Sequence, residues 1–456
     1  MVRQRYLYFE LYDINDTAAN LQTVWSVVHG PFFTASVNAY LKPAPHNVLG
    51  DQLYFTLLLY LPFWLAFPSP FTFVVVTIVA AGAAAVPLFY LARDRLGNPW
   101  LALLVAMSYL GHKMAYNTYF LFGFRPETLF MPFLFAGFLF LFRRQHLAAL
   151  PFFLLTLLTK HDSILVLSTL GLYLTVFTPE HRRFGALLVL LALLYLFAVV
   201  IPLFAHFSYS DTAIMKKVAM FGPDPVAAVV NVALHPWLYF EEVSRDELEY
   251  LYSTLLPVGF LCLLSPYYYL AVPIILYNLL YSDYGSIHCG WHWALVVPFL
   301  YLGVVDALAR VRGRMGDRPW RAVWVAAVAL AIGLFGVEAF QLAVRVQKQR
   351  NFYYRAHPAD TGKMIAAMAE IEPEASVSAM HRLLWFVAFR RDLFYNCHES
   401  YDPDYVVVIT PFALGQNDMT DWCTIAAVED PQSDFHRKYA PAVVEGELII
   451  FKKREK

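Results

Sequence analysis

Charge is scarce in this chain. Only 15% of its 456 residues are charged, where soluble domains carry roughly a quarter. Hydrophobic residues make up 59%. The formal net charge of −1 gives no whole-chain basis for nucleic-acid binding. Cysteine is nearly missing as well. Cys262, Cys289, Cys397 and Cys423 are too few for a disulfide scaffold. Cys397 and Cys423 share one polar tail and could pair or stay as free buried thiols. The stretch Met1 to Asp16 is polar and aromatic without an apolar run, so no cleavable signal peptide is expected there. Internal repeats and low-complexity tracts are not evident.

What is abundant is apolar sequence, in blocks of membrane-span character. Spans are expected near 70–92, 97–111, 126–142, 147–159, 163–177, 184–204, 251–264, 267–281, 291–309 and 322–345. Several fall short of the roughly 20 residues that an upright helix needs. Those around 147–177 and 251–281 therefore read as tight hairpins. Segment 52–67 is short and carries Pro62, and it reads as a helix at the membrane interface. With 70–92 as the first span, alternate short loops hold Arg93, Arg95, Arg143, Arg144, Arg182, Arg183, Arg310, Arg312, Arg314, Arg318 and Arg321. The positive-inside rule makes those loops cytoplasmic. The other face then receives nearly all the Asp, Glu and His that could do chemistry.

The expected architecture is an all-α polytopic membrane protein of about ten transmembrane helices with a small C-terminal α/β domain. Residues 1–67 form an outer-face loop region with amphipathic interfacial helices, 68–348 the helical bundle, and 349–456 a soluble extracytoplasmic unit. In that unit 361–371 has helical spacing. Stretches 376–380, 404–410 and 442–451 read as strands, the last with a turn at Glu445-Gly446.

Four polar clusters stand out. Asp13 and Asp16 precede an amphipathic stretch from Ala18 to Val28. Asp16 suits a helix N-cap, or a carboxylate acting as general base or metal ligand. Arg125-Pro126-Glu127 opens a span. Pro126 and Glu127 suit a first helical turn, whereas Arg125 offers a bidentate phosphate contact. Lys160-His161-Asp162 sits at the tip of a hairpin. It reads either as a solvated turn with Lys160 snorkelling or as functional charge at membrane depth. His288 and His292 are spaced i, i+4, suiting half a metal site, hydrogen bonds to phosphate or hydroxyl, or anchoring at the interface beside Trp291 and Trp293. The loop 205–250 is densely charged, with Lys216, Lys217, Glu241, Glu242 and Arg245 among its residues. It reads as a solvated face on the membrane surface.

These clusters, in this order, resemble the prokaryotic membrane-protein family known as domain of unknown function 2079, which looks like a branch of the GT-C glycosyltransferases. The matching stretches include Asp16 before Trp25-Ser-Val-Val-His29-Gly30, and Leu49-Gly50-Asp51 leading to Pro68-Ser-Pro70. Leu88 to Arg93, Phe124 to Glu127, Lys160 to Asp162, and His292-Trp293 ahead of Pro298-Phe299 follow. Departures exist. The family has a second Asp where this chain has Leu21. It has a His-Phe-Ser-Pro stretch where this chain reads Gln52-Leu53-Tyr54-Phe55, and His where this chain has Arg125. A family span before the Asp loop is not contained, so either the start lies upstream or that helix is lost.

The resemblance implies a multi-pass enzyme of the cell membrane that takes a polyprenyl-phosphate-linked sugar from the bilayer and transfers it on the extracytoplasmic face. Asp16, helped by Asp13, would be the base. Arg125, Glu127, Lys160, His161, Asp162, His288 and His292 would bind substrate. A divalent metal such as Mg or Mn could assist. Two rivals remain. A transporter or flippase would carry ionisable groups deep in its spans, where this chain has little beyond Asp306 and Glu338. A degenerate, non-catalytic lipid-sugar binder would fit the lost His and Asp. The sequence leaves the oligomeric state open.

Overall fold

The computed structural model describes residues 14–37, 46–50, 52–112, 124–207, 221–223, 225–241, 251–252, 254–280, 291–315, 358–395, 401–409, 428 and 430–455. Its helices are α1 (Ile14–His29), α2 (Leu61–Ala66), α3 (Pro70–Ala83), α4 (Ala85–Leu96), α5 (Pro99–Gly111), α6 (Phe130–Phe142), α7 (His146–Thr159), α8 (Ser163–Phe177) and α9 (Arg182–Tyr195). Then come α10 (Ile201–Phe207), α11 (Pro225–Leu234), α12 (Pro236–Glu241), α13 (Pro266–Tyr269), α14 (Val272–Leu280), α15 (Val297–Met315), α16 (Pro358–Ala369) and α17 (Asp434–Lys438).

Local chemistry sets the helix ends. Ser69 caps α3 by accepting from the Phe71 amide at 3.2 Å, and Pro70 occupies the first turn, where no amide partner is needed. Asn98 and Pro99 repeat that device for α5. Between α4 and α5, Gly97 takes φ +61°, a left-handed position that glycine fills without strain. α8 and α9 approach closely through Gly171 and Gly185. A β-carbon on Gly185 would come within 2.6 Å of the Gly171 carbonyl oxygen.

Ten spans are not established. Among the described residues three helices are long and apolar enough to cross a membrane: Pro70–Leu96, Pro179–Phe207 and Trp293–Arg314. Five others, Phe55–Ala66, Pro99–Gly111, Pro126–Phe142, His146–Thr159 and Ser163–Phe177, are apolar but shorter. The span expected at 251–264 is not one helix: from Leu256 onward it breaks into two 3-10 turns, Leu256–Val258 and Leu261–Leu264. Gly259 and Phe260 both take positive φ there, which an α-helix cannot contain. The span expected at 322–345 lies outside the described residues.

Hairpin geometry sorts the charged residues. α6 and α7 pack as a hairpin, as do α8 and α9. One end of the bundle therefore carries Arg125, Glu127, Lys160 and Asp162. The other carries Arg143, Arg144, His146 and Arg182. At that second end Asp306 of α15, almost buried, receives Arg95 at 3.1 Å, Arg310 at 2.7 Å and the Ser265 hydroxyl at 2.7 Å. Asp306 thus clamps α4 and α13 to α15. That role accounts for an acid which a transporter reading would take as functional.

The C-terminal region forms a five-stranded sheet from β3 (Val377–Ala379), β4 (Leu393–Tyr395), β5 (Tyr405–Ile409), β6 (Tyr439–Glu445) and β7 (Leu448–Lys453), in the order β4-β3-β5-β7-β6. β3 is parallel to β4 and β5, and β7 is antiparallel to β5 and β6. Gly446 at φ +58° makes the expected hairpin turn. β4 is not foreseen, because three residues carry no readable alternation. Two short strands near the N-terminus, β1 (Thr34–Ala35) and β2 (His46–Asn47), pair with each other.

α1 joins sheet and bundle. From Thr17 to Val24 it is buried, and one apolar cluster runs through its Ala18, Leu21 and Val24 to Leu383, Leu384 and Val387 of the 3-10 segment His381–Val387. The amphipathic stretch expected at the interface is therefore enclosed, and its polar residues bond inward. The Gln22 amide nitrogen donates to the Arg390 carbonyl at 2.9 Å and the Arg391 carbonyl at 2.8 Å. Its oxygen accepts from the Ser36 amide at 2.8 Å. Ser36 and Val37 then cover the open edge of β4: Leu393 N donates to Ser36 Oγ at 2.8 Å and Tyr395 N to the Val37 carbonyl at 3.2 Å.

Candidate functional site

Most of the predicted site residues that are described meet at the end of the bundle nearest α1. Asp16 lies in the first turn of α1, favourable for the helix dipole, rather than at the N-cap. Its Oδ2 accepts from Arg125 Nη1 at 3.0 Å. Arg125 is 1% exposed, so it is not the open phosphate-binding lip expected from its place in the chain. Its extended backbone precedes the 3-10 turn Pro126–Leu129, and burial leaves the guanidinium facing Asp16. A second tie, from Thr17 Oγ1 to the Phe124 carbonyl at 3.4 Å, holds α1 to the same segment.

Glu127 is 2% exposed in the Pro126–Leu129 turn. Tyr54 donates its hydroxyl to Glu127 Oε1 at 2.5 Å. Burial foremost, then Glu127, and more weakly Asp16 and Asp162, push the Tyr54 hydroxyl well above its ordinary value of 10. Tyr54 therefore remains a donor at any physiological pH. All three carboxylates lie close enough to act on this one hydroxyl.

The tip between α7 and α8 is not a solvated turn. Lys160 and Asp162 are both buried, with Lys160 Nζ 2.7 Å from Asp162 Oδ2 and His161 Nε2 3.0 Å from Asp162 Oδ1. Burial alone would raise the Asp162 carboxyl. Lys160 and His161 outweigh it and hold the group far below the usual carboxylate range. The His161 ring meets Phe204 of α10 edge-on at 5.3 Å.

The turn Trp291–Leu295 packs against Pro126–Leu129 and so brings the His292 backbone to the site. The His292 side chain, Asp13 and His288 lie outside the described residues, as do Cys289, Cys397 and Cys423. Cys262 is a free, buried thiol. Among the described residues no three His, Cys, Asp or Glu side chains gather as metal ligands. Tyr54 is the participant that the residue pattern does not disclose. It sits in an apolar run, and its one signal is that the family places a polar stretch there.

A family model described as "Predicted membrane protein (DUF2079)" matches residues 10–425. The chain belongs to the DUF2079 family. Its apolar helices agree with that description. Among solved structures, ArnT from Cupriavidus metallidurans bound to undecaprenyl phosphate is similar to this DUF2079 protein. The match has a TM-score of 0.51 at 12% identity and covers 99% of this chain and 95% of ArnT. At that identity the likeness is one of fold. No curated protein matches the DUF2079 chain.

Proposed function

We propose that this protein is a membrane-embedded glycosyltransferase of the GT-C kind. It would move a sugar from a polyprenyl-phosphate-linked donor to an acceptor on the extracytoplasmic face. The observation that carries the reading is the meeting of Asp16, Tyr54, Arg125, Glu127, Lys160 and Asp162 at the bundle end opposite the arginine-rich loops. The ArnT-like fold supports it. The positive-inside rule supports an orientation with the arginine loops in the cytosol and the site, with the sheet that α1 ties to it, outside.

In the reaction, an acceptor hydroxyl oxygen attacks the anomeric carbon. The bond from that carbon to the phosphate oxygen breaks, and polyprenyl phosphate leaves with the bonding pair. Asp16 takes the acceptor proton. Its side chain is 40% exposed, so it is open to a ligand, while buried Arg125 orients it. Arg125 thus acts through Asp16 rather than on the phosphate. Lys160 and His161, both held by Asp162, are the cationic and hydrogen-bonding groups that this reading assigns to the leaving phosphate. The described donors do not form a metal site, so no step is assigned to one.

Asp16→Asn keeps the shape and removes the base. In reconstituted vesicles supplied with a glycosylated undecaprenyl phosphate, transfer per folded molecule should fall about 10²–10⁴-fold, while thermal unfolding moves down because buried Arg125 loses its counter-charge. Product formed at the wild-type rate would remove Asp16 from the reaction. The Asp16–Arg125 ion pair also favours a second reading, a lipid-sugar binder without turnover. Saturable lipid binding by a wild type that forms no product would select it.

A further inference from the structure

The site's carboxylates are not equivalent. Asp16 is matched by Arg125 at 3.0 Å. Asp162 is matched by Lys160 at 2.7 Å and His161 at 3.0 Å. Glu127 is as deeply buried as Arg125 and more so than Lys160, yet no ion pair reaches it among the described residues. Its Oε1 takes the Tyr54 hydroxyl, and its Oε2 meets no donor among the described residues. A buried carboxylate oxygen in that condition is costly unless something donates to it.

Glu127 Oε2 is not isolated in this respect. Thr128 Oγ1, Gln52 Oε1 and Thr56 Oγ1 are also buried oxygens without a partner among the described residues. All four belong to two short stretches, 52–59 and 126–129, which pack on one another beside the end of α7. Buried polar atoms are normally satisfied. Glu127 Oε2 and Gln52 Oε1 only accept, and the Thr56 and Thr128 hydroxyls can accept or donate. A ligand whose groups both donate and accept, as sugar hydroxyls do, complements that set, whereas a phosphate would bring negative charge against the Glu127 carboxylate.

Resting on the lipid-linked sugar reading above, we propose that Glu127 is the carboxylate that grips the sugar ring. Its Oε2 accepts from ring hydroxyls, and Tyr54 is the positioning residue that fixes the carboxylate plane. The phosphate of the same lipid lies on the other side, towards Lys160 and His161. Sugar recognition and phosphate recognition are thereby divided between two parts of one site.

The test measures the affinity of the full-length protein for undecaprenyl phosphate and for undecaprenyl phosphates carrying glucose, galactose or mannose. The wild type should bind at least one glycosylated lipid more tightly than the bare phosphate. Glu127→Gln keeps the shape and an acceptor for Tyr54 but places an amide where Oε2 lies. It should lose that gain by about tenfold or more while retaining its affinity for bare undecaprenyl phosphate. Tyr54→Phe should weaken the same gain. Retained sugar preference in Glu127→Gln overturns the assignment. So does a wild type with no preference for any glycosylated lipid. If no lipid of either kind binds, the polyprenyl-phosphate reading falls as well, and the two failures are told apart.

Discussion

At the scale of single residues, burial turns ordinary side chains into a site. Asp162 is the sharpest case. Its folded carboxyl is held far below the usual range by Lys160 and His161, after their attraction overcomes the burial penalty. Its unfolded value is about 3.9. The stability that it adds is therefore complete above that value and disappears as the pH falls towards the folded one. Asp162→Asn leaves Lys160 buried without its counter-charge and should cost about 3–5 kcal/mol near neutrality. Thermal unfolding in detergent between pH 3 and 7 checks both points. The wild-type midpoint should drop below about pH 4, whereas the variant should start lower and lose less. Equal midpoints at pH 7 would mean that the pair does not hold the α7–α8 tip together.

At the scale of elements, α1 is the piece that makes the site. One end carries Asp16 against the bundle, and six residues later Gln22 is bonded to the sheet region. Gln22→Ala would leave the Arg390 carbonyl and the Ser36 amide short of partners, while the Arg391 carbonyl keeps the Ser36 hydroxyl. The expected loss is about 1–3 kcal/mol. Hydrogen exchange at Leu393 and Tyr395, whose amides bond to Ser36 and Val37, should quicken in that variant. Exchange there at the wild-type rate would show that the edge of β4 is held independently of α1. Much of this scale was legible beforehand. Ser69-Pro70 and Asn98-Pro99 announce two helix starts, and Tyr405–Ile409 announces a strand. β4 and the broken 251–264 segment were not legible. Three residues are too few for a pattern, and apolar composition alone does not reveal two left-handed residues in a row.

At the scale of the whole molecule, the question is which side the site faces. The arginine end and the acidic end are opposite ends of the same hairpins. A single cysteine in place of exposed Arg437, in a chain otherwise free of cysteine, should react with a membrane-impermeant maleimide on intact cells. One in place of exposed Arg183 should react only after lysis. The reverse pattern would turn the protein over and place the chemistry in the cytosol.

The sequence by itself determined that this is a membrane protein, where α3 and α5 begin, and that its titratable groups gather between particular helices. Composition, capping residues and hairpin parity are local quantities, and they survive without coordinates. The tertiary structure alone decided who pairs with whom. Asp16 and Arg125 lie 109 positions apart, and Tyr54 and Glu127 lie 73 apart. Such contacts arise from the packing of α1 and the 52–59 turn over the bundle, which no periodicity encodes. That packing is why Arg125, an open cation in the sequence, became a buried partner of Asp16, and why a tyrosine in an apolar run stands at the centre of the site.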